Sequence, residues 1–404
     1  MVRRISFIMP TFNRGGFIGE SLHAILAQAG EADEILVVDD GSTDETADLV
    51  ASFAPRVRYV RQDNAGKSAA LNRGLAMTDG DSVWICDDDD VLRPGMVDRL
   101  AAGLAATDAG FVFGRHTRFR VDPAAGRIDM GAGYWPDLAS GTLARHMLED
   151  AFVMQNGALV RRACYHDVGP FDENFLRSQD YEMFVRLVLR HRGAFIDAIV
   201  FDQRKHPGAR GPAENLHAAA EAEAVWRRYD RMIFEANAHL LRPASFEAMF
   251  DGPDGLVRRA ARLQRACVHA RHDLWSQAIC DLQVAATQMP GTPLHSTEVA
   301  ICRRLLGGKH GFAGALNPAI AGELRALRHC GDAGRQILDA VLAGVLWRLR
   351  RDEPAIRREA RALLLAVAGP AGATGLLLRH AAGRRPAPDS AELLRERDPC
   401  AIAA

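Results

Sequence analysis

What this 404-residue chain lacks already narrows what it does. Its seven cysteines include no C-x-x-C pair, so the spacing contains neither a zinc knuckle nor a disulfide framework. Scattered thiols suit a reducing compartment, and the cytoplasm is the expected location. A net charge of -1 supplies no global attraction to nucleic acid, and none is expected as a partner. Val2-Arg3-Arg4 is basic, but the apolar run from Ile5 to Pro10 is too short for a signal peptide and reads as a first strand. No uninterrupted apolar span of membrane length appears. The nearest, Ala362 to Leu378, is uncharged but broken by Gly369-Pro370. It reads as two helix ends and a turn in a bundle, with a membrane-dipping segment as the lesser alternative. Two phosphate-binding fingerprints also fail. "NAGKS" has Arg61 where a P-loop needs glycine, and the glycine spacing of "GGFIGE" is wrong for a dinucleotide site.

What is present is a chain built to pack. Apolar residues make up 48% and charged residues 25%, which favours folded cores over disorder, and the length suits two or three domains. The first part alternates strand and helix patterns. "ISFIM" reads as a strand, and Phe17–Ala29 as a helix with Ile18, Leu22, Ile25 and Leu26 on one face. "EILVVDD" is a strand that breaks at Gly41, and Ser42 with Glu45 has the spacing of a capping box. "VRYV" is a strand, residues 66–77 a helix, "SVWIC" a strand, and another helix begins near Pro94. This rhythm predicts a parallel, three-layer α/β sheet, in which ligands bind beyond the carboxyl ends of the strands. Three of those ends carry chemically capable residues: Thr11-Phe12-Asn13-Arg14, Asp39-Asp40-Gly41-Ser42, and Asp87 to Asp90.

The third end is the most telling. "VWICDDDD" drives an apolar run into four carboxylates whose nearest cation in sequence is Arg93. Such a knot at the end of a buried strand calls for a cation from elsewhere. Hard divalent ions take oxygen ligands and share their shell with water and phosphate. Asp87 and Asp89 alternate along the chain and so share one side.

"FIMPTFNR", "EILVVDDGSTDET", "NAGKSAALNRGLA", "ICDDDDVLRPGMV" and "SQDYEMFVRL" occur in that order. Together they resemble family 2 glycosyltransferases of the GT-A fold, over roughly residues 4–210. The resemblance implies an α/β, Rossmann-like three-layer mixed sheet and an inverting transferase that uses a nucleotide-activated sugar with Mn2+ or Mg2+. It places Pro10, Thr11 and Arg14 in the nucleotide pocket, Asp39 and Asp40 on base or ribose, and Asn64, Lys67 and Asn72 along the nucleotide wall. Asp89 becomes the metal ligand, with Asp87 or Asp88 on the ribose. Asp180 becomes the general base, preceded by Gln179 where the family usually has Glu. His206 is the candidate second metal ligand and Arg204 a phosphate contact. Tyr134 or Trp135 is placed either against a sugar or in the core.

After Pro212 strand patterns vanish and Ala, Leu and Arg dominate. The expected organisation is a transferase domain over 1–212, with a nucleotide-sugar half to about 110 and an acceptor half to 212, followed by an all-α domain over 213–404. Within the latter, Ala278, Leu282, Ala285 and Pro290 have the spacing of one tetratricopeptide-like hairpin, and the end from Arg384 is expected to fray. The implied donor is a UDP-, dTDP- or GDP-linked sugar. The implied acceptor is a glycan or lipid-linked glycan in cell-surface polysaccharide, lipopolysaccharide or glycoconjugate synthesis. Two alternatives stand beside this: a non-catalytic nucleotide-sugar-binding scaffold on the same fold, and transfer to a polyisoprenyl phosphate. The Arg-rich helices suit either peripheral contact with the inner membrane face or docking of a protein partner.

Overall fold

The computed structural model describes residues 4–206, 222–308, 311–381 and 393–402. It divides into two compact units, Met1–Asp137 with Ala151–Ala222, and Leu138–Asp150 with Glu223–Ala404. The expected cut at 212 lies outside the described residues.

The first unit is built on nine strands: β1 (Ile5–Thr11), β2 (Glu34–Asp39), β3 (Arg58–Arg61), β4 (Ser82–Ile85), β5 (Val91–Leu92), β6 (Phe111–Asp122), β7 (Gly126–Ala132), β8 (Ala158–Arg161) and β9 (Gly193–Arg204). Their order is β3-β2-β1-β4-β8-β6-β9-β5, with β7 paired to β6. The four strands β3, β2, β1 and β4 are mutually parallel, as the alternating pattern predicts. β8 then runs antiparallel to β4 and to β6, which makes the sheet mixed. The interleaved helices are α1 (Gly15–Leu26), α2 (Thr46–Ala51), α3 (Lys67–Ala76) and α4 (Met96–Ala105). After α5 (Leu143–Glu149), which belongs to the second unit, come α6 (Arg162–Val168) and α7 (Gln179–Arg190).

β1 is buried along its whole length, as expected of a central parallel strand covered on both faces. Ile18, Leu22 and Ile25 of α1 pack into a core with Phe7, Met9 and Trp84. Trp84 is fully buried and donates its indole N–H to the Asn156 carbonyl at 2.9 Å. On the other face α3 crosses β1 so closely that a Cβ on Gly74 would meet the Ile8 side chain at 2.4 Å. The capping box expected at Ser42 and Glu45 does not form. α2 begins at Thr46, whose N–H is capped by Asp44, while the Ser42 hydroxyl accepts the Asn13 N–H. Tertiary bonding to the β1 loop wins over the local motif.

In the second unit α8 (Ala222–Ala236) and α9 (Pro243–Glu247) precede a helical hairpin. α10 (Asp254–Arg271) and α11 (Trp275–Gln288) pack together, with Ala278, Leu282 and Ala285 buried. α12 (Ser296–Arg304), α13 (Gly311–Ala315), α14 (Pro318–Ala326), α15 (Gly331–Ala343) and α16 (Pro354–Ala381) follow. Buried carboxylates are paired throughout this unit. Arg259 clamps Glu298 with two bonds of 2.7 Å, both residues being fully buried. Asp281 takes Arg262 and Arg265. Glu149 of α5 takes Arg304, and its main chain takes Arg271. α16 is interrupted at Gly369 (φ 70°, ψ 172°) beside Pro370, so the expected break is present. The expectation of a frayed end is corrected for 393–402. Arg395–Glu396 pairs with Phe250–Asp251, Leu394 is buried, and Glu396 meets Arg145. Residues 382–392 are outside the described set.

Candidate active site

Parallel register gathers the three strand ends. Thr11 of β1 lies beside Asp39 of β2, and the Cys86 N–H donates to Ile8, so the chain after β4 emerges next to Met9, Pro10 and Thr11. Pro10 and Thr11 are both buried there.

The carboxylates at this edge have distinct jobs. Asp39 is fully buried, with one oxygen accepting the Ser42 N–H (2.7 Å) and the other the Tyr59 hydroxyl (2.5 Å). Asp40 accepts the N–H groups of Ala65 and Gly66 and the Gln62 amide, at 2.8–2.9 Å. Expected on the base or ribose, both therefore also work inside the protein. Asp39 closes its own turn, and Asp40 holds the loop 62–66 in which Asn64 is exposed. That loop ends at Gly66 in a left-handed conformation (φ 92°), which starts α3 with Lys67. Asn72, expected on the nucleotide wall, is placed elsewhere. Its amide donates to the Phe171 carbonyl (2.9 Å) and Glu173 (2.9 Å) and accepts the Phe171 N–H (2.8 Å). With the Ser68 hydroxyl on the Phe175 carbonyl, α3 clamps the segment leading into α7.

Lys67 supplies the cation that the acidic run lacks locally. Its Nζ is 2.5 Å from Asp87 Oδ1. Burial opposes the ammonium charge, but Asp87, with Asp180 and Asp88 behind it, raises its pKa above the usual value. Burial, and next the like charge of Asp89, push Asp88 up to about 7, against the Thr11 hydroxyl and the Arg14 guanidinium, whose Nε is 3.7 Å away. Asp90 is buried and is likewise raised, by burial first and then by Asp87 and Asp89. It faces inward, accepting the Arg204 N–H at 2.8 Å. Four adjacent carboxylates facing one lysine and one arginine are thus short of positive charge.

Asp89 Oδ2 lies 2.9 Å from His206 Nε2, and Phe17 stacks on that imidazole at 4.9 Å. Arg204, expected at phosphate oxygens, is instead buried. It donates to the Asp89 carbonyl (3.0 Å), pairs with Glu20 and lies over the Phe17 and Phe119 rings. It braces the acidic run from behind because its strand, β9, pairs with β5, which follows the run directly. Among the described residues no group of three or more His, Cys, Asp or Glu side chains is arranged to hold a metal ion. The Asp89–His206 pair offers one carboxylate oxygen and one imidazole nitrogen. Those two donors fit a divalent ion that completes its shell with water and diphosphate oxygens.

Asp180 is the second residue of α7. Ser178 (φ 57°) turns the chain there, and the Tyr181 N–H donates to Asp180 Oδ1 at 2.9 Å. Burial raises its pKa, Lys67 lowers it and Asp87 raises it, with a net upward shift. Of two buried amides in this unit, Gln179 stands out in the sequence as replacing Glu, whereas Gln155 does not. Gln155 is buried with neither amide atom partnered by a described residue, and Gln179 is buried with Oε1 in the same state. Gln155 lies in a short 3-10 turn just before β8, where the amide of the next residue, Asn156, donates to Asp90 Oδ2 at 3.5 Å. No pattern marks a glutamine as unpartnered; only packing reveals it. Trp135 packs among Phe113, Phe152 and Phe195, while Tyr134 is exposed.

Residues 6–169 match the family model described as "Glycosyl transferase family 2". Among curated proteins, Glycosyltransferase GlyG of Streptococcus pneumoniae is 33% identical over 30% of this chain and 41% of its own length. An uncharacterized glycosyltransferase of Rickettsia felis is 23% identical over 74% of this chain and 47% of its own. The chain thus spans less than half the length of these two relatives. Residues 1–349 of S. aureus TarS, solved in complex with UDP-GlcNAc, superpose with a TM-score of 0.51 at 16% identity, covering 84% of this chain and 90% of that one. That likeness is one of fold.

Proposed function

Residues 6–169 are a family 2 glycosyltransferase domain within a GT-A fold, and on that premise we propose that the chain is an inverting, metal-assisted transferase. It moves a sugar from a nucleoside diphosphate sugar (UDP-, dTDP- or GDP-linked) to a hydroxyl of a glycan or lipid-linked glycan acceptor. The product belongs to cell-surface polysaccharide, lipopolysaccharide or a related glycoconjugate, made on the cytoplasmic side of the membrane. The observation that carries the reading is the joining of the acidic run to Asp180 through one lysine: Lys67 binds Asp87 at 2.5 Å and also acts on Asp180.

Each residue then has a task. Asp89 and His206 would hold a divalent ion, which supplies Lewis-acid stabilisation to the departing diphosphate. Arg204 and Asp90 fix the main chain under Asp89 so that its carboxylate keeps one orientation. Asp40 shapes the loop over which the nucleotide lies, and Arg14 and Lys67 face the charge of the diphosphate. Asp180 takes the proton of the attacking hydroxyl. Its upward-shifted pKa makes it a stronger base than a solvated aspartate, while Lys67 keeps it from rising further. At this helix start burial outweighs the ionising effect of the helix dipole, and Lys67 is the counter-charge.

The test begins by finding, from a panel of UDP-, dTDP- and GDP-sugars with Mn2+, the donor that raises the melting temperature. Asp180→Asn should bind that donor normally. In single-turnover transfer at saturating substrates it should be slower by roughly two to four powers of ten. A rate within a few-fold of wild type would move the base to another residue. Failure of every nucleotide sugar to bind or turn over would remove the reading altogether.

A further inference from the structure

α16 leaves its most apolar surface uncovered. By length and composition it is apolar enough to cross a membrane, yet only 28% of its most apolar stretch is buried within the fold. Leu365 is 52% exposed, Leu377 43% and Leu378 66%, with Ala362 and Ala366 also exposed on that helix. Core packing does not account for these leucines, and large apolar side chains exposed together on one element mark an interaction surface.

Two features decide between spanning and lying flat. The uncharged stretch between Arg361 and Arg379 would reach only about 26 Å as one straight helix, short of the roughly 30 Å hydrocarbon core. It is not straight: Gly369 leaves the helical conformation beside Pro370, and Arg328 donates to the Val367 carbonyl next to the break at 2.5 Å. The break is therefore built into the second unit. A kinked pair of short helices, each with exposed leucines, suits the plane of a bilayer surface.

The surrounding charge specifies the occupant. From Leu346 to His380 there are seven arginines against three acids. Arg350, Arg351, Arg358, Arg361 and Arg379 are exposed; of these Arg379 pairs with Asp339. Trp347, half exposed, precedes α16 with the Arg348 and Arg351 guanidinium groups over its ring at 4.9 and 5.5 Å. An amphipathic indole beside arginines and exposed leucines is the chemistry of a lipid headgroup boundary. A second copy of the chain is disfavoured, because it would set like-charged arginines against each other.

We propose that the outer face of α16, with Trp347, docks on an anionic lipid bilayer and lies in its headgroup region without crossing it. The proposal stands apart from the transfer reaction, since none of these residues is assigned to the site.

The test is flotation of the full chain with vesicles of phosphatidylcholine alone or mixed with phosphatidylglycerol, at low and high salt. Wild type should float with the anionic vesicles, at least about tenfold more weakly with neutral ones, and should lose binding as salt rises. Leu365→Gln/Leu378→Gln should weaken anionic-vesicle binding by about tenfold or more by removing inserted apolar surface. Arg358→Gln/Arg361→Gln should weaken it and flatten the salt dependence. Both variants alter exposed positions, so melting temperature and donor hydrolysis should match wild type. No binding to either vesicle, or binding indifferent to the leucine substitutions, overturns the proposal. So does a leucine pair that converts an oligomer to a monomer in sedimentation, which would assign the face to a second copy.

Discussion

Replacing Asn72 by leucine separates two readings of α3. By sequence Asn72 lines the nucleotide; by structure it staples the segment that leads into Asp180. The amide makes three bonds, two of them reciprocal with the Phe171 main chain, and Phe171 is only 1% exposed. Each neutral bond contributes about 1 kcal/mol net, and a buried main-chain group left unpaired costs about 1–3 kcal/mol. The bond to Glu173 is at the surface and adds little. Asn72→Leu should therefore destabilise by roughly 2–4 kcal/mol. The loss falls on the segment that ends at Ser178, where the strained turn sets Asp180. A displacement of about 1 Å there costs on the order of a hundredfold in rate. The expected pattern is a large fall in kcat, unchanged donor affinity by calorimetry, and a lower urea midpoint. Donor affinity that falls while kcat holds would return Asn72 to the nucleotide and refute the clamp.

Asp89→Ala should abolish metal-stimulated turnover and metal-dependent thermal stabilisation while the circular dichroism spectrum stays native; full activity in excess chelator would contradict the assignment. In Glu149, burial works against the charge, but Arg304, Arg271 and Arg145 outweigh it and hold the pKa at about 2, below its ordinary 4.5. A depressed carboxylate stabilises above its unfolded pKa and loses that contribution as pH falls from about 4.5 through about 2. Glu149→Gln should flatten the acid side of the stability curve, and an unaltered slope would show that the arginines do not act through this group. Ending the chain at residue 222 should yield insoluble protein, because Leu148 and Met147 of α5 lose their cover and Glu149 loses Arg304 and Arg271. A soluble, donor-binding fragment would show that 138–150 folds without the helical unit.

Sequence alone determined the parts that depend on local pattern. Alternating strand and helix periods define β1 to β4 with α1 and α3 because each element's apolar face is set by neighbours three, four or two residues away. Parallel strands then had to bring Thr11, Asp40 and Asp87 to one edge. The shortage of positive charge at the acidic run was legible for the same reason, since Arg93 is the nearest cation in the chain for four carboxylates. The tertiary structure decided what depends on distant pairing. The antiparallel insertion of β8 makes the sheet mixed, and the turn before it brings Asn156 to Asp90, which no periodicity encodes. Lys67 finds Asp87 across 20 residues, Asn72 finds Phe171 across 99, and Arg204 turns away to Glu20 across 184. A polar side chain in a motif has several possible partners, and local sequence cannot rank them. Burial does so, because each buried donor or charge must be satisfied where the fold leaves it. The assignment of 138–150 to the helical unit has the same cause: Glu149 is buried there only because arginines far along the chain meet it.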